Sequence, residues 1–154
     1  MNSSHRAAGV LEDIKIPVKL RISALWAATL FLYAYGDIFG FFRNDVIQSV
    51  KAEKIAGFQI NQVFLLAVSI YILIPSAMVF LALVLKPAVN RWANLIISVA
   101  YFATIVVSAV GETWVYYIFL SIAESVLTLL IAWLAWRWPR QQVSIATPTK
   151  TTLL

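Results

Sequence analysis

The chain has 154 residues, of which 62% are hydrophobic and 12% are charged. A soluble domain is about half apolar and a quarter charged, so this composition excludes an ordinary soluble protein. The sequence contains no cysteine and one histidine, His5, which excludes disulfides, iron–sulfur clusters and a histidine-ligated zinc or haem site within the apolar segments. The chain is therefore expected to be a one-domain membrane protein without a bound cofactor.

Four apolar segments are each long enough to cross a bilayer, whose hydrocarbon core of about 30 Å needs roughly 20 apolar residues in a helix. Only helices and closed barrels satisfy the backbone in lipid, and these segments lack the alternation of barrel strands. The predicted spans are residues 22–42, 63–85, 92–110 and 115–136. The sequence therefore predicts an all-α fold, a four-helix transmembrane bundle over residues 22–138.

The distribution of basic residues predicts the orientation of this bundle. Of the twelve lysines and arginines, nine lie on the side of the two termini and three lie in the loop after the first span. Positive charge favours the cytoplasmic side, so residues 1–21 are predicted to be a cytoplasmic segment and residues 139–154 a disordered cytoplasmic tail. Despite the pI of 9.7, the charges flank the spans and form no single patch, which argues against nucleic-acid binding.

The loop after the first span carries a short amphipathic pattern. Val46, Ile47, Val50 and Ile55 recur near a helical period, and the pattern ends at Gly57. We predict a short interfacial helix over the mouth of the bundle.

Each span carries polar or small residues at helical spacing, and such stripes are expected to face away from lipid. The stripes are Ser23, Trp26, Tyr33, Asp37 and Gly40 in span one, Gln62, Ser69 and Ser76 in span two, Asn94, Ser98, Tyr101, Ser108 and Glu112 in span three, and Tyr117, Ser121, Glu124 and Thr128 in span four. Serine, threonine and glycine at such positions are the usual packing contacts of a bundle. All six tryptophans, including Trp26, lie near span ends and are predicted to be anchors at the membrane surface.

Asp37 and Glu124 are the formal charges within the spans. Placing an acidic residue at the centre of a helix costs on the order of 2.5 to 3.5 kcal/mol, so an intramembrane carboxyl marks a functional site by default. If the stripes meet, these carboxyls line one outward-facing pocket; its other predicted members are Tyr33, Tyr117, Tyr101, Glu112 and Gln62. An acidic pocket ringed by tyrosines suits a proton, a metal ion or an organic cation. The structural alternative for each acid is one hydrogen bond to a neighbouring helix.

Three functions remain open on this basis. The first is a proton- or cation-linked carrier or sensor, which with four spans would need a homodimer, for example through Gly36 and Gly40. The second is a non-catalytic subunit or assembly factor of a larger membrane complex. The third is an enzyme acting on a lipid or quinone with the carboxyls as acid and base, but no nucleophile–base pair, metal-ligand set or glycine-rich phosphate loop supports it.

Several segments resemble a known family. They are residues 16–26, 33–40, 74–78, 90–94 and 124–138, with sequences such as YAYGDIFG, IPSAM and NRWAN. They resemble a family of small four-span bacterial membrane proteins defined only as a domain of unknown function, over most of residues 14–139. The resemblance implies a four-helix integral membrane protein with both termini inside, and it implies no activity. The predicted location is the bacterial inner membrane. A looser likeness to DoxX-like four-span proteins rests on span count and aromatic content.

Overall fold

The structure is a computed structural model that describes residues 15–55 and 57–139. The described part of the chain contains five α-helices and one two-stranded hairpin. In chain order these are α1 (Val18–Gly40), α2 (Asn44–Lys51), β1 (Lys54–Ile55), β2 (Phe58–Gln59), α3 (Gln62–Val84), α4 (Pro87–Ala109) and α5 (Val115–Trp136). The predicted all-α fold is confirmed. The first fourteen residues and the predicted tail from residue 140 lie outside the described residues.

The long helices α1, α3, α4 and α5 are each long and apolar enough to cross a membrane, which indicates a multi-pass membrane protein. Two of them begin about one turn before the predicted spans, α1 at Val18 and α4 at Pro87. Proline suits the first turn of a helix because the missing N–H has no partner there. Hydropathy marks only the apolar stretch of each helix, whereas the residues that precede this stretch include Lys19 in α1 and Arg91 in α4.

The long helices form a bundle in which α1 packs between α3 and α5, and α5 packs against α4. The backbones of α3 and α4 make few close contacts, and large side chains bridge part of the space between them. The Tyr101 hydroxyl of α4 donates to the backbone carbonyl of Tyr71 in α3, and the two rings stack at 4.6 Å. We call the end with α2, the hairpin and the α4–α5 turn the hairpin end, and the opposite end the terminal end.

The half of the bundle nearer the terminal end is closely packed around a buried polar chain. The Trp26 Nε1–H donates to Asn94 Oδ1 at 2.7 Å, and Asn94 Nδ2 donates to the Asn90 carbonyl at 2.8 Å. Asn90 Nδ2 in turn donates to the Ala82 carbonyl at 2.6 Å, so the chain joins α1, α4 and α3. We call Trp26, Asn90 and Asn94, each 0% exposed, the polar core.

The polar core overturns one prediction. Trp26 is not a surface anchor, because Asn94 supplies a buried acceptor for its indole N–H. A buried tryptophan usually needs such a partner. The predicted stripes correctly place Trp26 and Asn94 on inward faces, but their spacing in the sequence gives no sign that the two side chains meet.

The predicted stripe of α3 is also wrong. Gln62, Ser69 and Ser76 are exposed on the outer surface. The Ser69 and Ser76 hydroxyls donate to carbonyls of their own helix, at 2.8 Å in both cases. A serine bonded in this way needs no partner on another helix, so its position does not reveal the inward face. The other three stripes do turn inward, and their buried members include Ser23, Ser98 and Thr128.

The loop after α1 forms a helix and then a hairpin. Helix α2 confirms the predicted short helix, but Ile55 belongs to β1 and pairs with Phe58 of β2. The helix ends before Glu53, whose φ of 56° lies in the left-handed region, and Gly57 supplies a φ of 83° beside β2. Glycine adopts that conformation without strain.

Candidate functional site

A cavity of about 520 Å³ lies between the four long helices in the half nearer the hairpin end. Ile55 and Phe58 of the hairpin contribute to its wall. Its other wall residues come from α1, α3, α4 and α5, and none of them belongs to the polar core. We call this space the acidic cavity, because Asp37 and Glu124 both line it.

The two carboxyls reach the acidic cavity from neighbouring helices. Asp37 on α1 is exposed, and Glu124 on α5 is 8% exposed. Within the described residues neither carboxyl forms an ion pair, and neither is bonded to another side chain. The wall contains no lysine and no arginine. Two acceptor groups are therefore available to a ligand in a space without a compensating cation.

Tyrosines surround these carboxyls. Tyr33 and Tyr117, both predicted site residues, line the acidic cavity, as does Tyr71. The Tyr33 hydroxyl is buried without a hydrogen-bond partner among the described residues, and its ring lies 6.4 Å from that of Tyr71. Tyr71 shares a 2.7 Å hydrogen bond with Thr104. The cavity therefore offers aromatic faces and hydroxyl groups.

The structure places three other predicted site residues away from the cavity wall. Tyr101 lies in the core on the terminal side of the cavity and is 4% exposed. Its ring is edge-to-face to that of Trp26 at 5.9 Å. Gln62 is exposed at the start of α3. Glu112 lies in the α4–α5 turn and is held by Arg43.

Sequence reasoning missed Tyr71, Phe58 and Phe64, which line the acidic cavity. Tyr71 is the single tyrosine of its span, which is a usable signal, but it lies off the serine stripe. The two phenylalanines carry no such signal, because an apolar ring is as common on a lipid-facing surface as on a cavity wall.

Gly36 lies beside Asp37 and faces the inside of the bundle. A Cβ atom at this position would lie 3.7 Å from Leu120 of α5, whereas nothing lies within 4 Å of one at Gly40. A homodimer through Gly36 and Gly40 stays a prediction, as does a larger membrane partner.

Through Arg43, Glu112 links the α4–α5 turn to the α1–α2 connection at the hairpin end. Arg43 donates from one nitrogen to Glu112 at 3.0 Å and from another to Asp45 at 2.7 Å. The second Glu112 oxygen accepts the backbone N–H groups of Thr113 at 2.8 Å and Trp114 at 3.0 Å. The Arg43 guanidinium also lies 4.7 Å from the centre of the Trp114 ring. Glu112 thus stabilises the fold at this end.

The hydrogen bonds of Glu112 predict that the free energy of unfolding depends on pH. Burial raises the pKa of Glu112, but hydrogen bonds from Trp114, Arg43 and Thr113 together lower that pKa below its ordinary value of 4.5. A carboxyl with a lowered folded-state pKa stabilises the protein above its ordinary pKa, and this contribution is lost as pH falls through the lowered pKa. We expect Glu112→Gln to lower the free energy of unfolding by about 1–3 kcal/mol at neutral pH, and by less in acid.

Thermal unfolding in detergent, followed by circular dichroism from neutral pH down to about pH 3, checks this expectation. Glu53→Gln is the matched control, because Glu53 is exposed at the same end and forms no ion pair within the described residues. Equal destabilisation by the two substitutions, or a Glu112→Gln effect independent of pH, would contradict the prediction.

The side chains available as metal ligands limit what the acidic cavity can bind. Within residues 15–55 and 57–139, no group of three or more His, Cys, Asp or Glu side chains could hold a metal ion. Calcium takes six to eight oxygen ligands and magnesium demands octahedral geometry, so two carboxyls are a poor dedicated metal site. Carboxyls with aromatic faces suit an organic cation better.

The comparisons with curated proteins and with solved structures gave no match. A model for a family of unknown function, DUF6326, matches residues 15–145. The match includes all four long helices and every residue of the acidic cavity that is described above. The chain therefore belongs to DUF6326, a family of unknown function.

Proposed function

We propose that this protein is a multi-pass protein of the bacterial inner membrane that binds a small organic cation in the acidic cavity. The observation that carries the proposal is the pair Asp37 and Glu124, which line one cavity without a basic residue on its wall. In a partly enclosed space, a cation that meets two carboxyls gains more electrostatic energy than it would in bulk water.

The size and chemistry of the cavity define the ligand class. A volume of about 520 Å³ lies within the range of small-molecule sites and far exceeds a bare ion. The aromatic rings attract a cation with about 0.5–2 kcal/mol each at close range. The wall hydroxyls of Tyr33, Tyr117 and Ser121 favour a ligand with a hydrogen-bonding atom. A small quaternary ammonium with a hydroxyl group meets all three requirements.

The charges of the described residues support cytoplasmic termini. The basic residues at the terminal end are Lys15, Lys19, Arg21, Lys86, Arg91 and Arg137. At the hairpin end, Arg43, Lys51 and Lys54 are balanced by Asp45, Glu53 and Glu112. Under the positive-inside rule, this distribution favours a terminal end in the cytoplasm and an acidic cavity toward the outer side.

The packed polar core favours binding or sensing over transport in this conformation. A carrier needs a second conformation in which the site faces the other side. The Trp26–Asn94 hydrogen bond and the full burial of both residues close the terminal half.

Calorimetric titration of the protein in nanodiscs with choline tests the proposal. Choline carries a quaternary ammonium and a hydroxyl, and 3,3-dimethyl-1-butanol is its neutral isostere. We expect choline to bind and the isostere not to bind, with Glu124→Gln weakening choline binding about tenfold or more. Glu53→Gln is the control for charge at the same end. Equal binding of the two probes, or unchanged choline binding in Glu124→Gln, would overturn the proposal.

A further inference from the structure

A second pocket, of about 700 Å³, lies at the terminal end. It is formed where α1 and α4 begin and where the chain leaves α5. Lys19, Arg91 and Trp138 are among its lining residues, and we call it the basic pocket. It shares no lining residue with the acidic cavity.

The two cations of the basic pocket are held in place differently. The Lys19 ammonium donates to the carbonyls of Leu83 at 3.0 Å and Leu85 at 2.7 Å, at the end of α3. An ammonium has three donors, so one remains. These contacts fix a positive charge at the pocket and leave it able to bind an anion.

Arg91 gives the stronger indication of an anion-binding site. Its Nε is buried and has no hydrogen-bond partner among the described residues. The guanidinium lies 5.6 Å from the ring centre of Trp92 and 5.8 Å from that of Trp136. A guanidinium presents five donors in a planar fork that matches the oxygens of a phosphate. The terminal nitrogens of the Arg91 fork are therefore donors of the type that bind a phosphate group.

The surroundings of the basic pocket favour an anion. Helix α4 begins at Pro87 on the pocket wall, and the start of a helix carries partial positive charge. Within the described ranges, the acidic residue nearest in sequence to the end of α5 is Glu124. It precedes Trp136 by more than three turns, so its backbone lies about 18 Å away along the helix. No described carboxyl therefore competes for the pocket.

We propose that the basic pocket binds the phosphate group of an anionic phospholipid. When the long helices cross a bilayer, their ends lie at headgroup depth, where a lipid phosphate is available and where tryptophans such as Trp138 are enriched. A cluster of basic residues on the cytoplasmic side is the kind of site that holds acidic headgroups. The inference depends on the membrane insertion proposed above, but not on cation binding in the acidic cavity.

Native mass spectrometry of the full chain released from mixed micelles tests this site. Micelles contain either phosphatidylglycerol or phosphatidylcholine at equal concentration. We expect the wild type to retain phosphatidylglycerol, Arg91→Gln to retain about tenfold less, and Arg137→Gln to behave as wild type. Arg137 is a matched control because it lies at the same end, over Trp133 at 5.2 Å, and does not line the pocket.

Three results would overturn the lipid site. They are equal retention of the two lipids by the wild type, equal retention by Arg91→Gln and wild type, and displacement of the lipid by an equal concentration of inorganic phosphate, which would indicate a free-anion site. Circular dichroism checks the fold of each variant, and if Arg91→Gln is unfolded, the wild-type comparison of the two lipids with phosphate decides. Lipid retention is measured without choline, so a failure of cation binding leaves this result independent.

Discussion

The double variant Asp37→Asn/Glu124→Gln is expected to bind choline about a hundredfold more weakly than the wild type, or not at all, while keeping its fold. Both carboxyls line the acidic cavity and neither forms an ion pair in the described part of the chain. Their replacement by amides therefore removes charge from the site without breaking a described salt bridge. Asparagine and glutamine also preserve the shape of the side chains.

The two single variants make the result more specific. Residues that act on one ligand in one cavity are usually coupled, so the sum of the two single effects should differ from the effect of the double variant. Tyr33→Phe removes the hydroxyl and keeps the ring, and we expect it to weaken choline binding less than either carboxyl variant. Calorimetry in nanodiscs gives the affinities of the wild type and the four variants, and circular dichroism gives the fold. A folded double variant with wild-type affinity would contradict the account.

Trp26→Ala is expected to lower the free energy of unfolding by about 3–5 kcal/mol, the largest loss of stability that we predict. The side chain is 0% exposed and belongs to the core cluster with Ile22 and Met78. Its removal leaves a large void and deprives Asn94 Oδ1 of its indole donor. In lipid, helix association depends on close packing and interhelical hydrogen bonds, and this substitution removes both.

Reversible unfolding in mixed detergent micelles measures this loss. Trp133→Ala is the matched control, because Trp133 is 50% exposed and we expect a loss of about 1 kcal/mol or less. Trp26→Phe keeps most of the packing but removes the donor, so its loss should be intermediate, about 1–3 kcal/mol. Equal losses for Trp26→Ala and Trp133→Ala would mean that the terminal half is not closely packed.

The fold could be predicted from the sequence to a large extent because hydropathy depends on composition alone. An apolar segment of sufficient length must be helical in lipid, so the four long helices follow directly. Inward faces are harder to predict. The stripes of α4 and α5 turn inward because their asparagine and glutamate side chains are too polar to face hydrocarbon, and Asn94 gives the Trp26 indole of α1 a buried acceptor. Serine can bond its own helix instead, as Ser69 and Ser76 do.

The candidate site could be predicted only in part, for a related reason. Periodicity places Asp37 and Glu124 on stripes of separate helices, and both line one cavity because α1 and α5 pack together. Periodicity within one segment cannot reveal which side chains of two distant segments are in contact. Arg43 and Glu112 are 69 residues apart and meet only because the bundle brings two connections together. For the same reason, the sequence could not predict the Trp26–Asn94 contact.

Substituted-cysteine labelling tests the central claim, which is that the acidic cavity opens to one side of the membrane and attracts cations. The chain contains no cysteine, so a single substitution introduces a unique thiol. Ser121→Cys places it on the cavity wall, and Thr128→Cys places it two turns further along the same face of α5, where Thr128 is 0% exposed. Membrane-impermeant methanethiosulfonates of either charge are applied separately to each side of the membrane.

The account predicts that Ser121→Cys reacts from the side opposite the termini, about tenfold faster with the cationic reagent, and more slowly when choline is present. Thr128→Cys should react from neither side. Equal rates for the two reagents at Ser121→Cys, reaction from the side of the termini, or ready reaction of Thr128→Cys would contradict it.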